Sequence, residues 1–291
     1  MVKLNWRRSG FMPYPNPTGI FGIALLLLLH GRPCIGTSIV VAYEPGTPEK
    51  QAVITAGADS RENWGGIPRS ACKIRTCRNG FFTFTGARDL YLNVPGVAFD
   101  PIKTVEGVCR SADSLYEYVV GTDSAMREAL ATVGRFAVTH DQRMWQTQLR
   151  GHPIIAEPIL LGIQGGVPMM IDLRYGFGNS PEEIVVDGYS CPDQCSETRD
   201  VFFPFGIDEH IQIYEAEHPE ALLGQKSEVI ERLITVQANA TPQYVGGDID
   251  LVQITETRTR WIRRKAECDE NGDNVPLRSF PSPVPLFGLH G

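Results

Sequence analysis

Four residues of this sequence, at Thr37, Asp59, Lys73 and Gly86, have the types needed for chemistry at a carbonyl group. A threonine hydroxyl is a weak nucleophile unless a base accepts its proton. If the chain is cut after Gly36, Thr37 gains a free α-amine with an ordinary pKa of about 7.7–8.0, which is a competent base near neutral pH. Asp59 would orient Lys73, whose ammonium favours the neutral amine, and the Gly86 N–H could stabilise an oxyanion.

The first predicted hairpin brings two of these residues together. It joins the β-rich runs Ser38–Tyr43 and Ala52–Gly57 through a loop full of turn residues. If the facing ends of these runs pair, so that the last residue of one lies opposite the first of the other, Thr37 lies opposite about Ala58. Asp59 then follows immediately, so a carboxylate is expected beside the threonine.

The second predicted hairpin joins Ala71–Cys77 and Phe81–Thr85 around Asn79-Gly80. Asn-Gly between two such runs is a strong hairpin signal. Pairing across this turn places Lys73 opposite about Gly86, so a cation is expected level with an unobstructed backbone N–H.

The remaining pattern predicts blocks of helices and strands rather than a regular alternation. Such blocks are typical of the α+β class with antiparallel pairing, here two sheets with helices covering their outer faces. The predicted helices are Ala112–Val120, Ser124–Phe136 and Pro219–Ala240, and the further predicted strands are Ile154–Ile163, Val167–Leu173, one or two within Val201–Tyr214, and Ile249–Ile254.

Residues 1–36 differ from the rest of the chain in charge. They carry four basic residues and no acidic one, whereas the remainder carries 23 basic and 34 acidic residues. The apolar run Ile20–Leu29 would span only about 15 Å as a helix, half of a bilayer core. The pattern predicts a signal peptide or propeptide ending at Gly36, and therefore an exported protein that meets a membrane only during export.

Composition and cysteine content limit the other function classes. The net charge of −7 argues against a nucleic-acid partner. Removal of residues 1–36 would leave six cysteines, whose pairing the sequence does not determine; Cys191 and Cys195 are either a local disulfide or free thiols. Asp208-Glu209-His210 lacks the spacing of a metal site, so we predict no metal and no cofactor. The Pro-rich segment 276–291 is predicted to be an extended tail.

The chemistry-bearing segments resemble the catalytic β-subunits of the proteasome and their bacterial relatives among the N-terminal-nucleophile hydrolases. The resemblance is clear over residues 37–90 and returns faintly in the helix at 219–240 and the following Gly246-Gly247. The segments that carry it are Thr37–Ala42 (TSIVVA), Gly57–Arg61 (GADSR), Cys72–Ile74 (CKI) and Phe84–Ala87 (FTGA).

The resemblance implies a four-layer αββα sandwich of two antiparallel sheets over residues 37–275. It implies Thr37 as nucleophile and base, Asp59 and Lys73 as its partners, and Gly86 as the oxyanion donor. Gly36 matches the family's self-cleavage junction. The expected activity is hydrolysis of peptides or other small amides, without a cofactor, and the sequence leaves open whether the chain forms a homo-oligomer.

Two departures from the family pattern keep other functions open. Tyr244-Val245 stand before Gly246-Gly247, where the family usually has Ser and often Asp. Asp208 lies where a Gly-Ser segment is expected, so Asp208 and Ser60 are candidate supporting residues. One alternative is a catalytically inactive protein of the same fold that serves as a binding or structural subunit. Another is an exported, disulfide-stapled binding protein unrelated to hydrolases.

Overall fold

The computed structural model describes residues 37–64, 67–78, 80–86, 90–91, 98–152, 154–265 and 268. The predicted signal peptide with Gly36, the end of the predicted domain at 269–275 and the predicted Pro-rich tail lie outside these residues.

The first large sheet contains the strand that begins beside Thr37. All its strand pairs are antiparallel. In order across the sheet, its strands in the described residues are β12 (Val201–Gly206), β1 (Ser38–Glu44), β2 (Val53–Ala58), β13 (Asp250–Thr255) and β14 (Thr259–Arg263).

The second large sheet contains the strand that ends at Gly86, and it is also antiparallel throughout. Its described strands, in order, are β11 (Ile184–Cys191), β10 (Val167–Phe177), β9 (Ala156–Gln164), β6 (Gly80–Gly86) and β5 (Arg75–Cys77). Two short hairpins pair β3 (Arg61–Trp64) with β4 (Ile67–Ser70) and β7 (Leu90–Tyr91) with β8 (Ala98–Phe99).

The helices follow capping signals in the sequence. Asp100 accepts a hydrogen bond from the backbone N–H of Lys103, and Ser114 accepts one from that of Glu117, so each starts a helix. No helix of the described residues is long and apolar enough to cross a bilayer. The helices are α1 (Pro101–Ser111), α2 (Leu115–His140), α3 (Gln142–Met144), which continues as a π-helical turn to Leu149, α4 (Glu209–Glu217) and α5 (Lys226–Ala240).

The two large sheets pack face to face around one apolar core. Because each strand also has a second face to bury, β1 is a nearly continuous apolar run rather than an alternating one. The core between the sheets is formed by fully buried side chains of both, among them Ile39, Val41, Ile54 and Val252 from the first sheet and Phe81, Ile159, Leu161 and Met170 from the second.

Helices cover the outer faces of both sheets. Val40 and Ala42 of β1 point away from the core between the sheets and pack against α4 and α5. On the opposite side, α2 contacts β9, β10 and β11. The layers are therefore helix, sheet, sheet and helix, an α+β sandwich as the sequence predicts. The helical side chains packed on β1 and its neighbours include Ile211, Val229, Ile230, Leu233 and Ile234.

Several predicted boundaries are wrong. The two helices predicted within 112–136 are divided at 112–114 instead of 121–123, because Ser114 caps α2 and its apolar spacing continues unbroken to His140. Residues 209–214 are helical rather than extended. The helix predicted at 219–240 is a 3-10 turn, Pro219–Leu222, followed after Gly224 by α5. β11 and β14 are not predicted from the sequence.

Three disulfides cross-link the described residues. Cys77 in β5 joins Cys109 in α1, with a Cα–Cα distance of 5.3 Å. Cys191 joins Cys195, which is the local disulfide rather than the free thiols among the two alternatives predicted for these residues. Cys72 joins Cys268, with a Cα–Cα distance of 5.6 Å, and so connects distant parts of the chain.

Candidate active site

Asp59 is the hub of the site. It lies at the end of β2, and its carboxylate is almost fully buried. One oxygen, Oδ1, accepts hydrogen bonds from the backbone N–H of Ser38 at 2.8 Å and from Lys73 Nζ at 2.6 Å. The other, Oδ2, accepts from the backbone N–H groups of Arg61 at 3.1 Å and Gly246 at 3.0 Å. A buried carboxylate needs this many donors, because removing its charge from water is otherwise expensive.

The pairing of β1 with β2 places Asp59 beside the start of β1. Ile39 lies opposite Ala58, and the N–H of Asp59 donates to the carbonyl of Ser38 at 3.1 Å. The register predicted from the sequence is wrong by two residues, since Tyr43 pairs with Ile54 rather than Ala52. The loop keeps its predicted length, but β1 extends by one residue to Glu44, and β2 begins one residue later, at Val53. Asp59 is therefore level with Ser38.

Lys73 reaches the site from irregular backbone. The predicted strand Ala71–Cys77 is wrong in its first half, because β5 begins only at Arg75. The N–H of Ala71 donates to the carbonyl of Ser60 at 2.8 Å instead of to a strand partner. The predicted turn register is also two residues off, since Phe81 pairs with Thr76. Lys73 is thus not level with Gly86 in a ladder, and its long, buried side chain makes the approach to Asp59.

Thr37 lies directly before β1 and is 6 % exposed. Its carbonyl accepts a hydrogen bond from the N–H of Ile207 at 2.8 Å. Ser38 lies opposite Gly206, whose φ is 81°. A Cβ at Gly206 would lie 2.2 Å from the Thr37 carbonyl oxygen, so only glycine lets β12 approach the start of β1 this closely.

Thr37, Lys73 and Gly86 line one cleft. Gly86 ends β6 with a φ of 99°, and a Cβ there would lie 2.6 Å from the carbonyl oxygen of Ile155. Asp59 lies behind the wall of the cleft and holds the Lys73 ammonium. The convergence of Asp59 and Lys73 at the Thr37 end is not predicted by the alternative of an unrelated binding protein. The residues that line the cleft are Thr37, Cys72, Lys73, Arg75, Phe82, Phe84, Gly86 and Ile102.

The two candidate supporting residues occupy different places. Ser60 is buried beside Asp59, and its backbone N–H donates to the carbonyl of Gly246 at 3.1 Å. Asp208 follows Ile207 and accepts a hydrogen bond from Gln212 Nε2 at 2.7 Å. Burial raises the pKa of Asp208, and the charge of Glu209 adds to the rise, whereas the Gln212 bond opposes it.

A charged cluster with two buried carboxylates lies near the cleft and is not predicted from the sequence. Glu157 in β9 lies opposite Thr85, one residue from the pair that Gly86 forms with Ala156. Arg174 Nε donates to Glu157 Oε1 at 2.9 Å, and Arg174 Nη2 lies 2.7 Å from Asp172 Oδ2. Burial raises the pKa of Asp172 well above its ordinary value, and Glu157 adds to that rise. Charged residues within the apolar strands β9 and β10 were the signal that could have revealed this cluster.

Metal ligation has no candidate among the described residues, since no group of three or more His, Cys, Asp and Glu side chains there could hold an ion. The prediction that the protein needs no metal or cofactor remains a prediction.

Comparison with known proteins gives distant structural similarity only. No protein-family model and no curated protein matches the sequence. A structure of Thiobacillus denitrificans BPH in complex with epoxomicin is similar with a TM-score of 0.42 and 12 % identity, over 75 % of this chain and 98 % of that one. A second structure of Thiobacillus denitrificans BPH has a TM-score of 0.43 and 10 % identity, over 75 % and 97 % of the two chains.

Proposed function

We propose that this protein is an exported threonine-type hydrolase of the N-terminal-nucleophile class, with a proteasome-like αββα fold, acting on peptide or other small amide bonds. The observation that supports this most is the position of Asp59. Its Oδ1 atom accepts from both Lys73 Nζ and the Ser38 N–H, directly after Thr37. Asp59 therefore binds the Lys73 ammonium and also holds the backbone directly after Thr37.

The proposed reaction begins with cleavage between Gly36 and Thr37, by a signal peptidase or by the chain itself. The new α-amine of Thr37 accepts the proton of its own hydroxyl while Oγ attacks the amide carbonyl. The oxyanion of the tetrahedral intermediate accepts a hydrogen bond from the Gly86 N–H, and the Lys73 ammonium stabilises the developing negative charge.

Collapse of that intermediate completes the first half of the reaction. The C–N bond breaks, and the α-ammonium of Thr37 returns the proton to the leaving amine. The acyl group stays on Thr37 Oγ as an ester. Water, deprotonated by the same α-amine, then attacks the ester. The acyl C–Oγ bond breaks, the α-ammonium returns the proton to Thr37 Oγ, and the acid is released. Asp59 takes no proton in this scheme; its role is to hold the Lys73 ammonium and the start of β1.

Substitution of Thr37 tests this proposal. Thr37→Ala removes the nucleophile but little volume, so we expect the rate of amide hydrolysis to fall about 10⁴-fold or more with the fold intact. Thr37→Ser keeps both hydroxyl and amine and serves as the matched control that retains activity. The measurement is hydrolysis of a panel of fluorogenic peptide amides, with thermal unfolding as the check on folding. Full activity of the alanine variant would exclude the mechanism.

An inactive subunit of the same fold is the second candidate. Val245 favours it, because this residue stands where the family usually has a serine and is fully buried in the apolar cluster beneath α5. Without a hydroxyl there, the proton path of the family is incomplete. Absence of turnover in a chain that begins at Thr37, over a broad peptide panel, would favour this candidate over the hydrolase.

A further inference from the structure

The backbone that carries Lys73 lies between two strands rather than within one. β4 ends at Ser70 and β5 begins at Arg75, so the residues between them lie outside any strand. The N–H of Ala71 donates to the carbonyl of Ser60, but this bond precedes Lys73 by two residues. A side chain with four rotatable carbon–carbon bonds on irregular backbone needs further support if its ammonium is to stay in one place.

Two residues near the C-terminal end of the described chain supply that support, and we call them the C-terminal clamp: Lys265 and Cys268. Lys265 Nζ donates to the carbonyl of Ala71 at 2.7 Å and to Ser70 Oγ at 3.0 Å. Cys268 forms the disulfide with Cys72, the residue directly before Lys73. Both clamp residues are less than 10 % exposed. The loop is therefore fixed on both sides of Ala71, by two polar bonds and one covalent bond.

The clamp is anchored to the strand next to the one that carries Asp59. The backbone N–H of Lys265 donates to Asp250 Oδ1 at 3.1 Å. Asp250 lies in β13 directly opposite Ala58, and Asp59 follows Ala58 in the chain. Both partners of the Lys73–Asp59 ion pair are thus connected to the same part of the first sheet. Asp59 is connected through β2, and Lys73 is connected through the clamp and Asp250.

We propose that Lys265 and Cys268 are positioning residues for Lys73, which hold its ammonium against Asp59 at the wall of the cleft. This proposal rests on the proposed function, since it assigns the clamp a role in hydrolysis. Loss of the clamp lets the loop 70–74 shift, and a misplacement of about 1 Å in a catalytic group can lower a rate about 100-fold. Because the cleft keeps its shape elsewhere, kcat should fall more than KM rises.

The test compares Lys265→Gln with Arg264→Gln. Both variants remove one positive charge from adjacent positions, but Arg264 Nη1 donates to Thr76 Oγ1 in β5 and not to the loop. The first readout is the acetylation rate of Lys73 by acetic anhydride, followed by mass spectrometry, which needs no activity. The second is kcat, KM and the pH–rate profile on a fluorogenic peptide amide.

We expect Lys265→Gln to lose the protection of Lys73 from acetylation, so that Lys73 reacts faster than in the unmodified protein. We also expect kcat to fall about 10–100-fold and the pH–rate profile to shift, while Arg264→Gln resembles the unmodified protein. Lys265→Arg, which keeps a cationic donor, should restore part of the protection. The double variant Cys72→Ala/Cys268→Ala should also expose Lys73. Its matched control is Cys77→Ala/Cys109→Ala, which removes a disulfide that does not reach the loop.

The outcomes separate the two proposals. Faster acetylation of Lys73 only in the clamp variants supports the clamp. This holds even if neither the unmodified protein nor any variant hydrolyses an amide, and in that case only the proposed function fails. Unchanged protection in both clamp variants overturns the clamp, and so does a fall in kcat without a change in protection. Folding is checked by thermal unfolding, and if one clamp variant does not fold, the other decides.

Discussion

Asp59 and Lys73 form a buried ion pair whose two members depend on each other. Their side chains are 0 % and 4 % exposed, and the remaining lone pairs of Asp59 are occupied by backbone N–H groups. Such a pair contributes little net stability by itself, but removal of one partner leaves the other buried without compensation. The stability of the site is therefore sensitive to the loss of a single side-chain charge.

A double-mutant cycle measures this dependence. Asp59→Asn should lower the free energy of unfolding by about 3–5 kcal/mol, because Lys73 loses its carboxylate. Adding Lys73→Met to that variant should restore part of the loss, since the buried ammonium that interacted with the carboxylate is then removed as well. Urea unfolding of both single variants and the double variant gives the coupling energy. Additive effects would show that the two side chains do not act as a pair.

The role of the Gly86 N–H in catalysis can be tested separately from the effect of backbone strain at a glycine with positive φ. Gly86→Ala should lower stability by about 1–3 kcal/mol, since its φ is 99° and its Cβ would meet Ile155. It should also lower kcat by displacing the N–H offered to the oxyanion. Gly166→Ala is the matched control, with a φ of 81° in a turn and open space around the added Cβ. A kcat equally low in the control would mean that strain alone explains the effect.

At the scale of elements, α4 carries a carboxyl group that titrates in an unusual range. Burial, aided by the charge of Asp208, raises the pKa of Glu215 from 4.5 to about 7. The folded protein therefore holds this proton more tightly than the unfolded chain. The stability linked to it is fully present below about pH 4.5 and is lost as the pH rises through about 7.

Glu215→Gln should remove this pH dependence. Between pH 5 and pH 8 the unmodified protein should lose stability relative to the variant, with a slope of at most about 1.4 kcal/mol per pH unit. The exposed Glu217, on the same helix, gives the control Glu217→Gln with the same change of charge. Urea midpoints at several pH values provide the measurement. Parallel curves for Glu215→Gln and the unmodified protein would contradict the assignment.

The sequence predicts some elements well for identifiable reasons. β1 and β6 are runs of β-branched and aromatic residues bounded by turn residues, and their extents were predicted within one residue. The registers of both hairpins were off by two residues, because a pattern that repeats every two residues does not distinguish such shifts. Residues 71–73 have strand composition, yet they lie outside the strands, and Ala71 bonds to Ser60 and to Lys265, which the local sequence does not indicate.

At the scale of the whole molecule, the cleft is assembled from both large sheets. Thr37 directly precedes β1 and Asp59 directly follows β2, both strands of the first sheet; Gly86 ends a strand of the second, and Lys73 lies on the connection between them. The two predicted hairpins indicate that these residues lie close together, but the buried Glu157 and Asp172 and their half-buried partner Arg174 could not be found by the same reasoning. Their partners lie on β9 and β10, and only the packed sheet brings them together.

The cleft can serve the proposed chemistry only if Thr37 is the first residue of the mature chain. While residue 36 is attached, the Thr37 nitrogen belongs to an amide and cannot accept a proton. The most direct measurement is the N-terminal sequence, with intact mass, of protein purified in its active form. We predict a chain that starts with Thr-Ser-Ile-Val and hydrolyses amides. An active chain that starts at any other residue would contradict the account.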